Sequence, residues 1–456
     1  MSTSNIEDIL KNSLSIMKQF DWLIDSYVLD FYTAEHWNKL PMTWKSVFEK
    51  IEPEILTDLF KTRFDPSADR IVWPLSILCL RSLIQKLSIS RDCHVFDEKR
   101  KCLPEPMCYF HPKLRNLFRK RIKSKKQHEI ERMAALCAKT AVDCDVKYVL
   151  DFGSGLGHLS RVLGYGYGLN VCCLEQQKEL TEEAKKIDES LQGTAQKFLD
   201  YEDIKRLRRP VHLNIKLTKS TDVASLLNKI SESFGIANDE RDSFRFGIVG
   251  LHPCGDLAAI LLNVYLNCRE AKFLNLVGCC HMKLSESSFP LSSFLKNHNR
   301  CHLTYEAKEI SCHNQEVYVQ RLTALDYKHL MVHSYRAALE KIICKHWPEL
   351  KRSGLRSIKY YAELTFFDYC LKATSHLNID IPVSDVFSSS VQNDLKHWKN
   401  VVIFYTLRLL FAPLVESVIL YDRMLCVLER NFSVQLEAIF DPFISSRNLI
   451  MTAKKS

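Results

Sequence analysis

Between Val149 and Gly157 the chain reads Val-Leu-Asp-Phe-Gly-Ser-Gly-Leu-Gly, an apolar run that carries an acid, Asp151, and three glycines, Gly153, Gly155 and Gly157. Glycines let the backbone turn sharply and approach a ligand, and the helix expected from about His158 offers free N–H groups at its start. The spacing is not the G-x-G-x-x-G of dinucleotide sites, but the loop stands between a strand and a helix, the setting such a loop needs. The next apolar run ends Cys173-Leu174-Glu175, and an acid at that place accepts hydrogen bonds from both hydroxyls of an adenosine ribose. Asp151, the glycines and Glu175 are therefore the candidate holders of a nucleoside-bearing cofactor. Lys125-Lys126-Gln127-His128-Glu129 opens the helix before the first strand. It puts Lys126 and Glu129 on one edge of the same pocket. The alternative is a charged helix start, where an acid suits the dipole.

A second constellation follows the fourth strand: Leu251-His252-Pro253-Cys254-Gly255-Asp256-Leu257. In this kind of sheet, reacting groups lie beyond the carboxyl ends of the strands. His252 is a candidate base, Cys254 a candidate nucleophile, and Asp256 a base, an orienting acid or simply a helix cap. Cys279-Cys280-His281 closes the fifth strand at the same edge, and Cys301-His302 and Cys312-His313 follow. Structural zinc draws on closely spaced ligand pairs, and these are isolated, so no metal is expected. Buried thiols serve equally well as small hydrophobes.

The elements that must position these groups alternate. An amphipathic helix over Glu129–Val142 precedes strands at Tyr148–Phe152, Asn170–Glu175, His212–Leu217, Phe246–Leu251 and Phe273–Cys280. A helix over Lys178–Ile187 and an apolar one over Leu257–Asn267 fall between strands. Alternation of this kind predicts an α/β, Rossmann-like parallel sheet covered on both faces. Val434–Phe440 and Asn448–Ala453 flank Asp441-Pro442 and predict an antiparallel hairpin that closes a seven-stranded sheet. The expected division is an N-terminal helical domain over 1–120, a core over 121–284, a mainly helical insertion over 285–399, and a helix and hairpin over 400–456 that complete the core.

At 456 residues the chain exceeds one typical domain. Its 17 cysteines form no disulfide-like framework and Met1–Lys11 is polar, so a reducing intracellular compartment, cytoplasm or nucleus, is expected. The apolar stretch Val401–Leu428 contains Arg408, Glu416, Asp422 and Arg423, which predicts a buried helix rather than a membrane span. Between His111 and Lys126 stand Lys113, Arg115, Arg119, Lys120, Arg121, Lys123, Lys125 and Lys126 with no acid among them, and Lys205, Arg206, Arg208 and Arg209 form a second cluster. Such runs suit a polyanion such as RNA; a solvated helix face is the plainer alternative.

Taken together, these segments resemble the methyltransferase-like protein 25 family, including its 25B branch. The resemblance runs nearly end to end. It takes in Phe31-Tyr32, Trp37, Leu40-Pro41 and Trp44, then Lys125–Glu129, Asp151–Ser160, Gly250–Leu257 and Val277–Leu284. It continues through Phe404–Arg408, Ala412-Pro413, Glu416–Arg423, Phe440-Asp441-Pro442 and Ser446-Arg447-Asn448. It implies a class I methyltransferase that uses S-adenosyl-L-methionine, held by Lys126, Glu129, Asp151, Gly153, Gly155, Gly157 and Glu175, with His252, Cys254 and Asp256 near the acceptor. His252-Pro253-Cys254-Gly255 and Cys279-Cys280-His281 are also similar to stretches of tRNA 2′-O-methyltransferases, which turns the expectation toward an RNA substrate. The Asn-Pro-Pro-Tyr type of sequence found in adenine dimethylases is missing. A protein or small-molecule acceptor, or a non-catalytic interaction protein that keeps the fold, are the alternatives.

Overall fold

Unbroken apolar runs such as Val149-Leu150 and Val171–Leu174 make strands that must be covered on both faces. The computed structural model, which describes residues 2–61, 71–109, 111–237, 244–298, 301–324 and 327–455, places them in a seven-stranded sheet. The strands are β1 (Tyr148–Phe152), β2 (Asn170–Glu175), β3 (Val211–Asn214), β4 (Phe246–Cys254), β5 (Ala271–Cys279), β6 (Ser433–Ala438) and β7 (Leu449–Lys454). Their order is β3-β2-β1-β4-β5-β7-β6. β1 to β5 run parallel, and β7 lies antiparallel to both β5 and β6. The predicted closing hairpin is therefore present, on the β5 side of the sheet. The order reverses direction at β1 and β4, and the crevice there is where such sheets bind ligands.

Helices α1 (Ser124–Asp143), α2 (His158–Arg161), α3 (Lys178–Phe198) and α4 (Asp256–Asn267) flank the parallel strands. On α1 the buried residues Ile130, Met133, Ala134, Cys137 and Ala141 recur at helical spacing and join a core with Val149, Val171, Val249, Phe273 and Val277. Burying each large apolar side chain contributes roughly 1.5–3 kcal/mol. Gly247 is required on β4 because a Cβ there would sit 2.0 Å from the Phe273 ring. β4 runs three residues past its expected end, with a register shift against β5 between Leu251 and Cys254. An irregularity of this kind re-aims side chains at a strand end.

The chain divides into two compact units, and the cuts differ from those expected. The sheet unit holds 1–10, 89–302 and 418–456; the helical unit holds 11–88 and 303–417. Residues 89–120 do not belong to a separate N-terminal domain, because Phe96, Tyr109, Leu114 and Phe118 are buried in the same core as β1 and α1. The helical unit has a core of its own, in which Leu339, Ile343, Phe366, Tyr369 and Ala373 are buried and Leu29 and Tyr32 pack against them. Helix α5 (Ala412–Leu428) crosses the division at Val418. The stretch Trp398–Leu428 is long and apolar enough to cross a membrane by length and composition, but 89% of its most apolar window is buried within the fold.

Candidate functional site

The glycine loop begins where β1 ends. Gly153, Gly155 and Gly157 have φ of +71°, +57° and +70°, the left-handed region that penalises any side chain. At Gly155 an added Cβ would meet nothing within 4 Å, so this turn faces open space. Glu175 sits opposite and is buried. Its Oε2 accepts from Gly155 N–H at 3.0 Å and its Oε1 from Gln177 N–H at 2.9 Å, which fixes the carboxylate against the loop. Asp151 lies beneath, 2% exposed, accepting from the Ser160 hydroxyl at 2.6 Å. Burial pushes its carboxyl up to about 6, with Ser160 and Lys126 opposing.

Two residues of α1 reach the same edge. Lys126 is half-buried; burial pulls its ammonium down, while Glu129 and Asp151 act to hold the charge. Glu129 is 1% exposed, and both its oxygens are taken, Oε1 by the Ser445 hydroxyl at 2.7 Å and Oε2 by His252 Nε2 at 3.0 Å. Burial raises the Glu129 carboxyl, but His252, Ser445 and Lys126 outweigh that and hold it below the usual range. The sequence placed Glu129 against the cofactor and His252 against the acceptor; the structure makes them partners. A buried carboxylate that fixes an imidazole is the arrangement a general base needs.

His252 has φ of +66°, costly for a residue with a Cβ, and Cys280 has +50°. Beside them, Cys254 Sγ lies 3.2 Å from Cys279 Sγ and 3.4 Å from Cys280 Sγ. The expectation that these thiols are isolated is corrected: β4 and β5 are parallel neighbours with Cys254 opposite Cys279, so both strands deliver a thiol to one point. The contact with Cys279 holds the Cys254 thiol below its ordinary range against the effect of burial, with Cys280 and Lys283 helping; the same contact pushes Cys279 up. Cys301 and Cys312 are not part of this group.

Asp256 is the first residue of α4, and the cap before it is Gly255. Its Oδ1 accepts from Ser285 N–H at 2.9 Å and its Oδ2 lies 3.6 Å from Lys219. Despite some burial, these contacts hold the carboxyl low, which suits a latch between α4 and the loop after β5 better than a base.

A buried network supports the glycine loop and was not read from the sequence. Arg161 is 0% exposed, pairs with Asp188 and donates to Leu156 O at 3.0 Å, while Asp188 Oδ2 lies 2.6 Å from His212 Nε2. Its one sign along the chain is a lone arginine within the apolar Leu159–Tyr165. In the basic segment, Arg119 pairs with Glu131, Arg121 with Glu183 and Lys125 with Glu129, whereas Lys113, Arg115, Lys120 and Lys123 are exposed. In the second cluster Lys205 pairs with Glu202 and Arg209 with Glu189.

Residues 125–287, from the start of α1 to just beyond β5, match a family described as a methyltransferase domain. The chain is 24% identical to the probable methyltransferase-like protein 25 of Mus musculus, over 73% of this chain and 75% of that one. It is 28% identical to the Homo sapiens protein of that name, over 51% of this chain and 40% of the human one. Among solved structures, the plantazolicin methyltransferase BpumL in complex with SAH aligns over 66% of this chain and 94% of its own at 10% identity and a TM-score of 0.22, a likeness too slight to inform the site.

Proposed function

For a chain that belongs to the methyltransferase-like protein 25 family and carries a class I methyltransferase fold, we propose methyl transfer from S-adenosylmethionine to RNA. The observation that carries the cofactor is the open space over Gly155, whose turn is bonded to the Glu175 carboxylate, with the Lys126 ammonium drawn electrostatically to Asp151 at the end of the same strand. An adenosine ribose fits beside Glu175, whose carboxylate keeps lone pairs for its hydroxyls, and an amino-acid carboxylate fits Lys126. When bound, the cofactor supplies an electrophilic methyl carbon on a sulfonium.

The residues then have distinct duties. The glycine loop, fixed by Glu175 and by the Arg161 network, orients the donor, and alignment of donor and acceptor is most of what an in-line displacement requires. His252 accepts the proton that the acceptor loses as its new bond to carbon forms. Glu129, held ionised, keeps the imidazole in place and stabilises its charged form. RNA as the acceptor rests on the exposed Lys113, Lys120 and Lys123, in the segment that leads directly into α1 and its Lys126.

Calorimetric titration with S-adenosylmethionine tests the cofactor site. Binding to the wild-type chain that Gly155→Arg abolishes and Glu175→Ala weakens about 10- to 100-fold is expected, a ribose-bonding carboxylate contributing roughly 1.5–3 kcal/mol. A well-folded wild-type chain that takes up no cofactor would overturn the reading and favour the scaffold alternative. A chain that methylates protein fractions and leaves RNA untouched would keep the activity and remove the RNA acceptor.

A further inference from the structure

The thiol cluster has a property that the transfer reaction does not use. Sγ atoms of Cys254, Cys279 and Cys280 all lie within 4.8 Å of one another, with two of the separations at 3.2 and 3.4 Å. A disulfide would bring two sulfurs to about 2.05 Å, so none is bonded here. An ion bound tetrahedrally at about 2.3 Å from each sulfur would hold the sulfurs about 3.8 Å apart, a relaxation of a few tenths of an ångström. Apolar packing does not account for the group, because Cys254 is exposed and Cys280 half-buried. We propose that Cys254, Cys279 and Cys280 bind a thiophilic divalent cation, zinc in type, leaving a fourth position open on the exposed side.

An independent observation supports it. Arg423, on α5, is 1% exposed, and its Nε, Nη1 and Nη2 have no hydrogen-bond partner among the described residues. Its Nη1 lies 2.5 Å from where a Cβ on Gly278 would stand, directly beside Cys279 in the chain. The neighbouring Asp422 carboxylate is committed elsewhere, to the Leu291 and Ser292 N–H groups and the Ser292 hydroxyl. A buried guanidinium that makes no hydrogen bond is heavily penalised, and the one carboxylate that favours its charge, Asp422, spends its hydrogen bonds elsewhere. Three thiolates around a divalent ion carry a net charge of minus one and would answer it. Each thiol that binds releases its proton to solvent, so uptake is pH-dependent and proton-releasing. The two strands and the loop after β5 would be tied at the edge where the acceptor arrives.

This assignment does not depend on the cofactor reading, since metal is measured without cofactor or acceptor. The full chain, reduced and stripped of metal, is titrated anaerobically with Co(II), reading the thiolate-to-cobalt charge-transfer absorption, and then with Zn(II) to displace it. One equivalent is expected. Cys254→Ser and Cys280→Ser should each weaken binding at least about 100-fold, and Cys312→Ser should leave it unchanged. Cys254 is exposed, so that variant should keep the circular dichroism of the wild type and separates loss of a ligand from loss of fold. Gly155→Arg should abolish cofactor uptake while retaining cobalt. Absence of the charge-transfer band at stoichiometric cobalt, equal affinity in the Cys254→Ser variant, or a disulfide among the three in the oxygen-free protein would each overturn the proposal.

Discussion

Arg408 in the helical unit and Arg423 in the sheet unit are both 1% exposed, yet they are treated differently. Arg408 donates to Glu309 at 3.2 Å and to the carbonyls of Glu306 and Ile24 at 2.7 and 3.3 Å. Around it, Arg352 reaches Asp30 and Glu306, and the Tyr32 hydroxyl meets Ser334 at 2.8 Å and Asp394 O at 2.7 Å. Arg423, by contrast, has no acceptor among the described residues, and near it stand converging thiols and a left-handed Cys280. A buried charge bonded as fully as Arg408 suits a scaffold, although Arg336 Nε and Glu340 Oε2 of the same unit have no hydrogen-bond partner among the described residues. Polar groups and strain left over at one sheet edge mark the place that a bound species completes.

The largest expected effect sharpens that contrast. Arg408→Met should destabilise the fold by about 3–5 kcal/mol, because two buried carbonyls lose their donor and Glu309 is left with His313 alone. Arg423→Met in the metal-free chain should be within about 1 kcal/mol of wild type or stabilising, since it removes a buried guanidinium that makes no hydrogen bond among the described residues, and Asp422 keeps its own hydrogen bonds to Leu291 and Ser292. Denaturant titrations followed by circular dichroism distinguish the two, and equal destabilisation would break the comparison.

Next comes the base. His252→Asn should lower turnover roughly 10²- to 10⁴-fold while leaving cofactor affinity within about twofold, as befits a proton acceptor that does not hold the donor. A parallel fall in cofactor binding would instead make His252 a structural prop.

Asp151 sets a pH signature of order 3 kcal/mol. Its carboxyl stands at about 6 in the fold against 3.8 for an unburied one. The folded chain therefore holds a proton that the unfolded chain has released. That contribution is complete below pH 3.8 and is lost as pH rises through about 6. Thermal midpoints of the wild type should fall across this window relative to Asp151→Asn, and parallel curves for the two proteins would contradict it.

The smallest effect concerns the basic segment. Lys120→Ala with Lys123→Ala should flatten the salt dependence of RNA binding by roughly 0.7–0.9 for each phosphate that is no longer neutralised. An unchanged slope would return this run to a solvated helix face.

Which of these features could be read along the chain depended on how local they were. The glycine loop, Glu175 and the Asp441-Pro442 hairpin are set within a few residues by turns and strand endings, and all stand where expected. Membership of residues 89–120 in the sheet unit was not readable, since Phe96 and Phe118 fit any apolar face and only packing chooses α1 and β1. The Glu129–His252 pair joins residues on separate elements, and its signal was no more than two polar residues at predicted pocket edges. The thiol cluster was within reach. Cys254 and Cys279 end consecutive parallel strands, which places them side by side once β4 and β5 are taken as neighbours.

The most direct test of the account is transfer of an isotope-labelled methyl group from S-adenosylmethionine by the purified chain into cellular RNA and protein fractions. The account predicts label in RNA, abolished by Gly155→Arg and strongly reduced by His252→Asn. No label in any fraction from a chain that binds the cofactor would contradict it, leaving a methyltransferase fold that holds its donor without using it.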